Sequence, residues 1–178
     1  MRATGVSARR RSASSGNALV EWMLVLLPTF ALITAFFDVS FAIFSWTTLQ
    51  NAVREGCRYA ITFQTNGGQG QDASIETIVQ QNAMGLVTVA GGLIHVNYYG
   101  TNPSTGVYSL TTPIPVANGG NVPNNIVEVS VQGYPLNWMV PLSGTLSNPI
   151  RSSAPATINV YSSDVLGGYP AGLTSVSR

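Results

Sequence analysis

Between Trp22 and Trp46 the chain reads WMLVLLPTFALITAFFDVSFAIFSW, and Asp38 is its only ionisable residue. As an α-helix this run is about 36 Å long, against about 30 Å for the hydrocarbon core of a bilayer. It predicts a transmembrane helix with some tilt or overhang. Trp22 and Trp46 stand where an aromatic belt would place them. Pro28 predicts a kink in the first half, which membrane helices tolerate. Four arginines, Arg2, Arg9, Arg10 and Arg11, precede the run, while Arg54 and Arg58 beyond it are offset by Glu55. The positive-inside rule then predicts a cytoplasmic N-terminus and a C-terminal portion on the other side. A cleaved secretory signal is the competing reading. Its apolar core is shorter, about 7–15 residues, and ends at a small-residue site. Ser40-Phe41-Ala42 fits such a site poorly.

Two acids flank or enter the run. Glu21 stands at its mouth and Asp38 about 25 Å further along the helix. An acid in lipid is costly and reads as functional. The alternative is that both sit near opposite interfaces and reach water. Ala31, Ala35, Asp38, Ala42, Ser45, Ala52 and Gly56 recur at helical steps. Such a small-residue stripe suits close helix packing, with Ala31, Ala35, Ala42 and Ser45 as the packing candidates. Beyond the membrane TTLQNAVREGCRYAITF continues helix-like, with Leu49, Val53, Cys57 and Ile61 on one face. Glu55 can reach Arg58 at i+3. Cys57 reads as a small buried residue, with an intersubunit disulfide or lipidation as the alternatives.

Residues 64–71 form a polar, Gly-rich break. Asp72 or Ser74 is expected to cap a second helix, with Ile75, Ile78, Val79 and Ala83 on its apolar face and Gly85 or Gly91-Gly92 ending it. Strands are expected at 93–99, 107–110, 126–131 and 156–161. Val127, Val129 and Val131 alternate with Ile126, Glu128, Ser130 and Gln132, the pattern of a half-buried antiparallel strand. The expected fold is α+β. It has a long N-terminal transmembrane helix, a short second helix and a small antiparallel sheet. Its divisions are a basic leader (1–16), a helix that crosses the membrane and continues outside (17–63), and an exported α+β domain (64–178).

Catalytic chemistry finds little support. Lysine is absent, 8% of residues are charged and the formal charge is +1, with arginines at the N-terminus or beside acids, so no nucleic-acid partner is implied. The single histidine, His95, lies in an alternating strand and reads as structural; no second His or Cys joins it as a metal cluster. One cysteine excludes an internal disulfide. Gly67-Gly68-Gln69-Gly70 lacks the Lys-Ser/Thr of a phosphate loop. Asp72, Glu76, Glu128 and Asp164 are scattered and read as solvated surface. Neither an enzyme nor a cofactor is expected.

Gly16 followed by Asn-Ala-Leu-Val-Glu resembles the processing pattern of type IV prepilins, in which a Gly or Ala precedes the cut and a Glu stands fifth after it. NAVREGCRYA resembles the NAAREGARYA-like segment that follows the membrane helix of TadE-like proteins, which are minor components of tight-adherence (Tad/Flp) pilus systems. EVSVQGYPLNWMVPLSG and SSAPATINV are similar to their C-terminal half. The resemblance implies cleavage by a prepilin peptidase between Gly16 and Asn17. It makes Glu21 the assembly glutamate, with Asp38 near a second family acid. It makes Asn51, Arg54, Glu55, Gly56, Arg58 and Tyr59 the family motif. Implied partners are other pilin or pseudopilin subunits, the Tad inner-membrane assembly platform and membrane lipid. The implied role is a single-pass inner-membrane pseudopilin that assembles and adheres. An uncleaved, membrane-tethered binding module is the alternative.

Overall fold

The computed structural model describes residues 15–136 and 156–178. Most of the basic leader and the stretch 137–155, which holds part of both C-terminal resemblances, lie outside the described residues.

Helix α1 runs Ser15–Ala60 without interruption at Pro28, about 69 Å of helix. From Gly16 to Phe37 every residue is exposed except the half-buried Thr34. The hydroxyls here turn inward: Thr29 Oγ1 donates to the Val25 carbonyl at 2.7 Å, Thr34 to Phe30 at 3.0 Å, and Ser40 to Phe36 at 2.8 Å. Internal pairing of this kind suits a helix in lipid, where no water offers a substitute. From Asp38 onward one face is covered. Asp38, Ser45, Leu49, Ala52, Val53, Gly56, Cys57 and Ala60 are buried, at the steps of a single helical face. Val39, Phe41, Ile43, Phe44 and Trp46 remain exposed on the other side.

Helix α2 spans Gln71–Asn82 and packs against α1. Its N-cap is Gly70, with no side-chain cap. This differs from the expected Asp72 or Ser74. Ser74 bonds back to the Gly70 carbonyl at 2.8 Å within the helix, and Asp72 is drawn into a tertiary cluster. The helix ends at Asn82, before the expected glycines, with Ala83 as its C-cap. Ile75, Val79 and Ala83 are buried, while Ile78 is only half-buried.

Four antiparallel strands form one sheet in the order β2-β1-β3-β4: β1 Ile94–Thr101, β2 Tyr108–Ser109, β3 Ile126–Pro135 and β4 Thr157–Val165. One sheet face carries Ile94, Val96, Tyr98, Val127, Val129, Val131, Ile158 and Val160, all buried against α1 and α2 in a single core. The expected alternation in β3 holds for its valines. Ser130, expected on the polar side, is nonetheless buried. Its cross-strand neighbours are His95 and Tyr161, two large side chains that shield it on the outer face. His95 itself is exposed there rather than in the core. The fold is α+β: a long apolar helix, a second helix and a small antiparallel sheet.

Candidate functional site

The segment NAVREGCRYA lies in the last turns of α1, and the helix divides it into two faces. Ala52, Val53, Gly56, Cys57 and Ala60 point into the core. Gly56 is required there. A Cβ would come 2.5 Å from Val79 Cγ2, 3.4 Å from Val129 and 3.5 Å from Ile75. A glycine thus lets α1, α2 and β3 meet at one point. Asn51, Arg54, Glu55 and Arg58 form the opposite face and are exposed; Tyr59 is half-buried between the two. Arg58 Nη1 meets Glu55 Oε1 at 3.1 Å, with side chains 74% and 48% exposed. A pair that open to water contributes at most about 1 kcal/mol to stability. The fold therefore accounts for the inner half of the motif and makes little use of the outer half.

At the other end of the helix Gly16, Asn17 and Glu21 are exposed. Ala31 and Ala35 are exposed too, Ala42 is half-buried, and Ser45 is wholly buried beneath the chain's own domain. The Ser45 hydroxyl is buried with no hydrogen-bond partner. Asp38, like Ser45, is buried within the fold. Glu21 and Asp38 thus occupy opposite environments.

The residues that the structure adds are Asp72, Tyr98 and Arg178. Asp72, expected as solvated surface, ion-pairs with Arg178 at 2.7 Å and accepts the Tyr98 hydroxyl at 3.0 Å. Burial first, and then the Asp72 carboxylate, hold the Tyr98 phenol far above its usual range, so it stays a donor at any physiological pH. Partners so far apart in sequence leave no local signal. Among the described residues no three His, Cys, Asp or Glu side chains gather to hold a metal.

A family model for TadE-like proteins matches residues 16–58. Over this segment the chain is similar to the TadE-like family. The match takes in Gly16, Glu21, the whole bare helix and the split motif as far as Arg58. Comparison with curated proteins and with solved structures finds no match. The apolar helix within the match is long enough to cross a membrane, as in a single-pass membrane protein.

Proposed function

We propose that this chain is a minor pilin or pseudopilin of a Tad-type pilus or a related secretion apparatus, acting in assembly and surface adhesion without catalysis. The observation that carries this reading is the division of labour along α1. Exposed Glu21 and about 33 Å of bare apolar helix lie at one end. The exposed face Asn51, Arg54, Glu55 and Arg58 lies at the other, within a TadE-like segment.

In this reading a prepilin peptidase cuts between Gly16 and Asn17, and the N-terminus faces the cytoplasm. The new α-amine of Asn17 pairs with Glu21 of a neighbouring subunit, which offsets the cost of holding both charges at the membrane. Ala31 and Ala35 let helices approach closely. The sheet domain stands outside the inner membrane. The outer motif face meets the assembly platform or a neighbouring pilin.

Intact mass of the protein taken from its native membrane tests the first step. A chain beginning at Asn17 supports processing, and one beginning at Met1 favours the uncleaved tether. Glu21→Ala tests the second step. Pilus assembly should be lost while membrane insertion is kept; normal pili with Glu21→Ala would sink the proposal.

A further inference from the structure

The strap that follows β4, residues 167–178, crosses the domain and ends in a site built from four other segments. Arg178 Nε contacts Asp72 Oδ2 at 2.7 Å, Nη1 donates to the carbonyls of Gly119 at 2.6 Å and Ile114 at 3.0 Å, and Nη2 donates to that of Val96 at 3.3 Å. Its Cζ lies 4.6 Å from the centre of the Tyr98 ring. The Arg178 side chain is 7% exposed. Four of the five N–H groups of the guanidinium have partners, one carboxylate and three carbonyls, and an aromatic ring lies beside it. An ammonium has no flat fork to meet carbonyls in several directions, so the arrangement favours a guanidinium.

The strap carrying that arginine is held lightly. From Gly167 to Ser175 only Tyr169 is more than marginally covered, and Gly167, Gly168 and Gly172 punctuate the segment. Apart from Arg178, its anchors are few. The Tyr169 ring lies 4.6 Å from Phe63 and its hydroxyl donates to the Asn121 carbonyl at 3.3 Å, the Ser177 carbonyl accepts the Gln71 N–H at 2.8 Å, and the half-buried Val176 accepts at its carbonyl from Asn121 Nδ2 at 2.9 Å. The receptor walls belong to the core: Tyr98 is fully buried on β1, and Asp72 sits in the first turn of α2. A segment with little buried apolar surface opens at lower free energy than the core it rests on.

We infer that Asp72, Tyr98 and the carbonyls of Val96, Ile114 and Gly119 form an exchangeable arginine-binding site. Arg178 fills it in the closed state. When the strap lifts, the site accepts another guanidinium in place of Arg178. This inference does not depend on the pilin reading.

Two measurements on the full chain in detergent decide it. Arg178→Ala removes the part of the side chain that ethylguanidinium reproduces. That compound should raise the unfolding midpoint of the variant saturably, and ethylammonium at equal concentration should not. Equal effects of the two cations would overturn the specificity. In the wild type, hydrogen exchange should release the Gln71 N–H well before the Val129 N–H, and ethylguanidinium should speed exchange at Gln71 alone. Equal protection of the two amides would mean that the strap leaves only on global unfolding, and the exchangeable site would be wrong. The wild-type experiment stands even if the variant fails to fold.

Discussion

The two ends of α1 belong to one continuous helix, yet they answer to different surroundings. Gly16–Phe37 is bare, so its leucines and phenylalanines call for a medium that the chain does not supply. From Asp38 to Ala60 one face is buried, and from Leu49 onward it joins the core formed with the chain's own sheet and second helix. The first stretch is about 33 Å long, close to a hydrocarbon core. The second is long enough to serve as the spine of the domain. Composition already separates them, since the first stretch holds one charged residue, Glu21, and the second four, Asp38, Arg54, Glu55 and Arg58; the spacing of small and buried residues shows which face of the second is covered. Ser45, Ala52 and Gly56 continue the stripe that begins at Ala31, but they serve contacts inside the molecule.

The largest expected effect sets the two ends directly against each other. Val53→Asp buries an unpaired acid in the core and should cost about 3 kcal/mol or more, unfolding the domain as read by circular dichroism. Leu24→Asp should leave the unfolding midpoint of the domain unchanged and release the protein from membranes on alkaline extraction. Similar loss of fold in both would break the comparison. Gly56→Ala pushes a methyl against Val79, and a loss of about 1–3 kcal/mol in denaturant titration is expected.

A smaller effect depends on pH. Burial, and then the Asp72 carboxylate, raise the Glu76 carboxyl above its ordinary value, with His95 pulling the other way. The fold thus prefers Glu76 protonated. That preference helps stability below the ordinary carboxylate range and is lost as pH rises through the raised value. Glu76→Gln should therefore raise the melting temperature modestly at pH 7, with the gain shrinking as pH falls toward about 4. The smallest change in stability is expected for Arg58→Ala, within about 0.5 kcal/mol. If the exposed motif face contacts a partner, this variant folds normally and assembles poorly. Normal assembly would remove that face from the proposal.

The helix and β3 were legible because each is written in a local pattern: a long apolar run followed by a one-face helical period in α1, and Val127, Val129 and Val131 alternating with their neighbours in β3. Strand ends were less so. β4 continues to Val165, past the expected Tyr161, because pairing with β3 holds Ser163 and Asp164 in the sheet despite their weak strand preference. Ser130 could not be placed from its own position, since its burial comes from His95 and Tyr161 on neighbouring strands. The Asp72–Arg178 pair joins residues 106 positions apart. Asn121 meets Gln71 across 50 positions. Contacts of this kind are set by topology, and the sequence carries no spacing that announces them. At the helix ends the reverse held. Gly16, Glu21 and the motif were picked out by order alone, and the fold added which of them lie exposed and which are buried.

Gln71 is wholly buried, and its amide donates to the Ala60 carbonyl at 2.9 Å, closing the end of α1. Its side-chain oxygen then accepts from Asn121, which also binds the strap at Val176. The end of the stalk helix, the start of α2 and the C-terminal strap thus share one buried amide knot, so loosening any of the three exposes the polar groups of the other two.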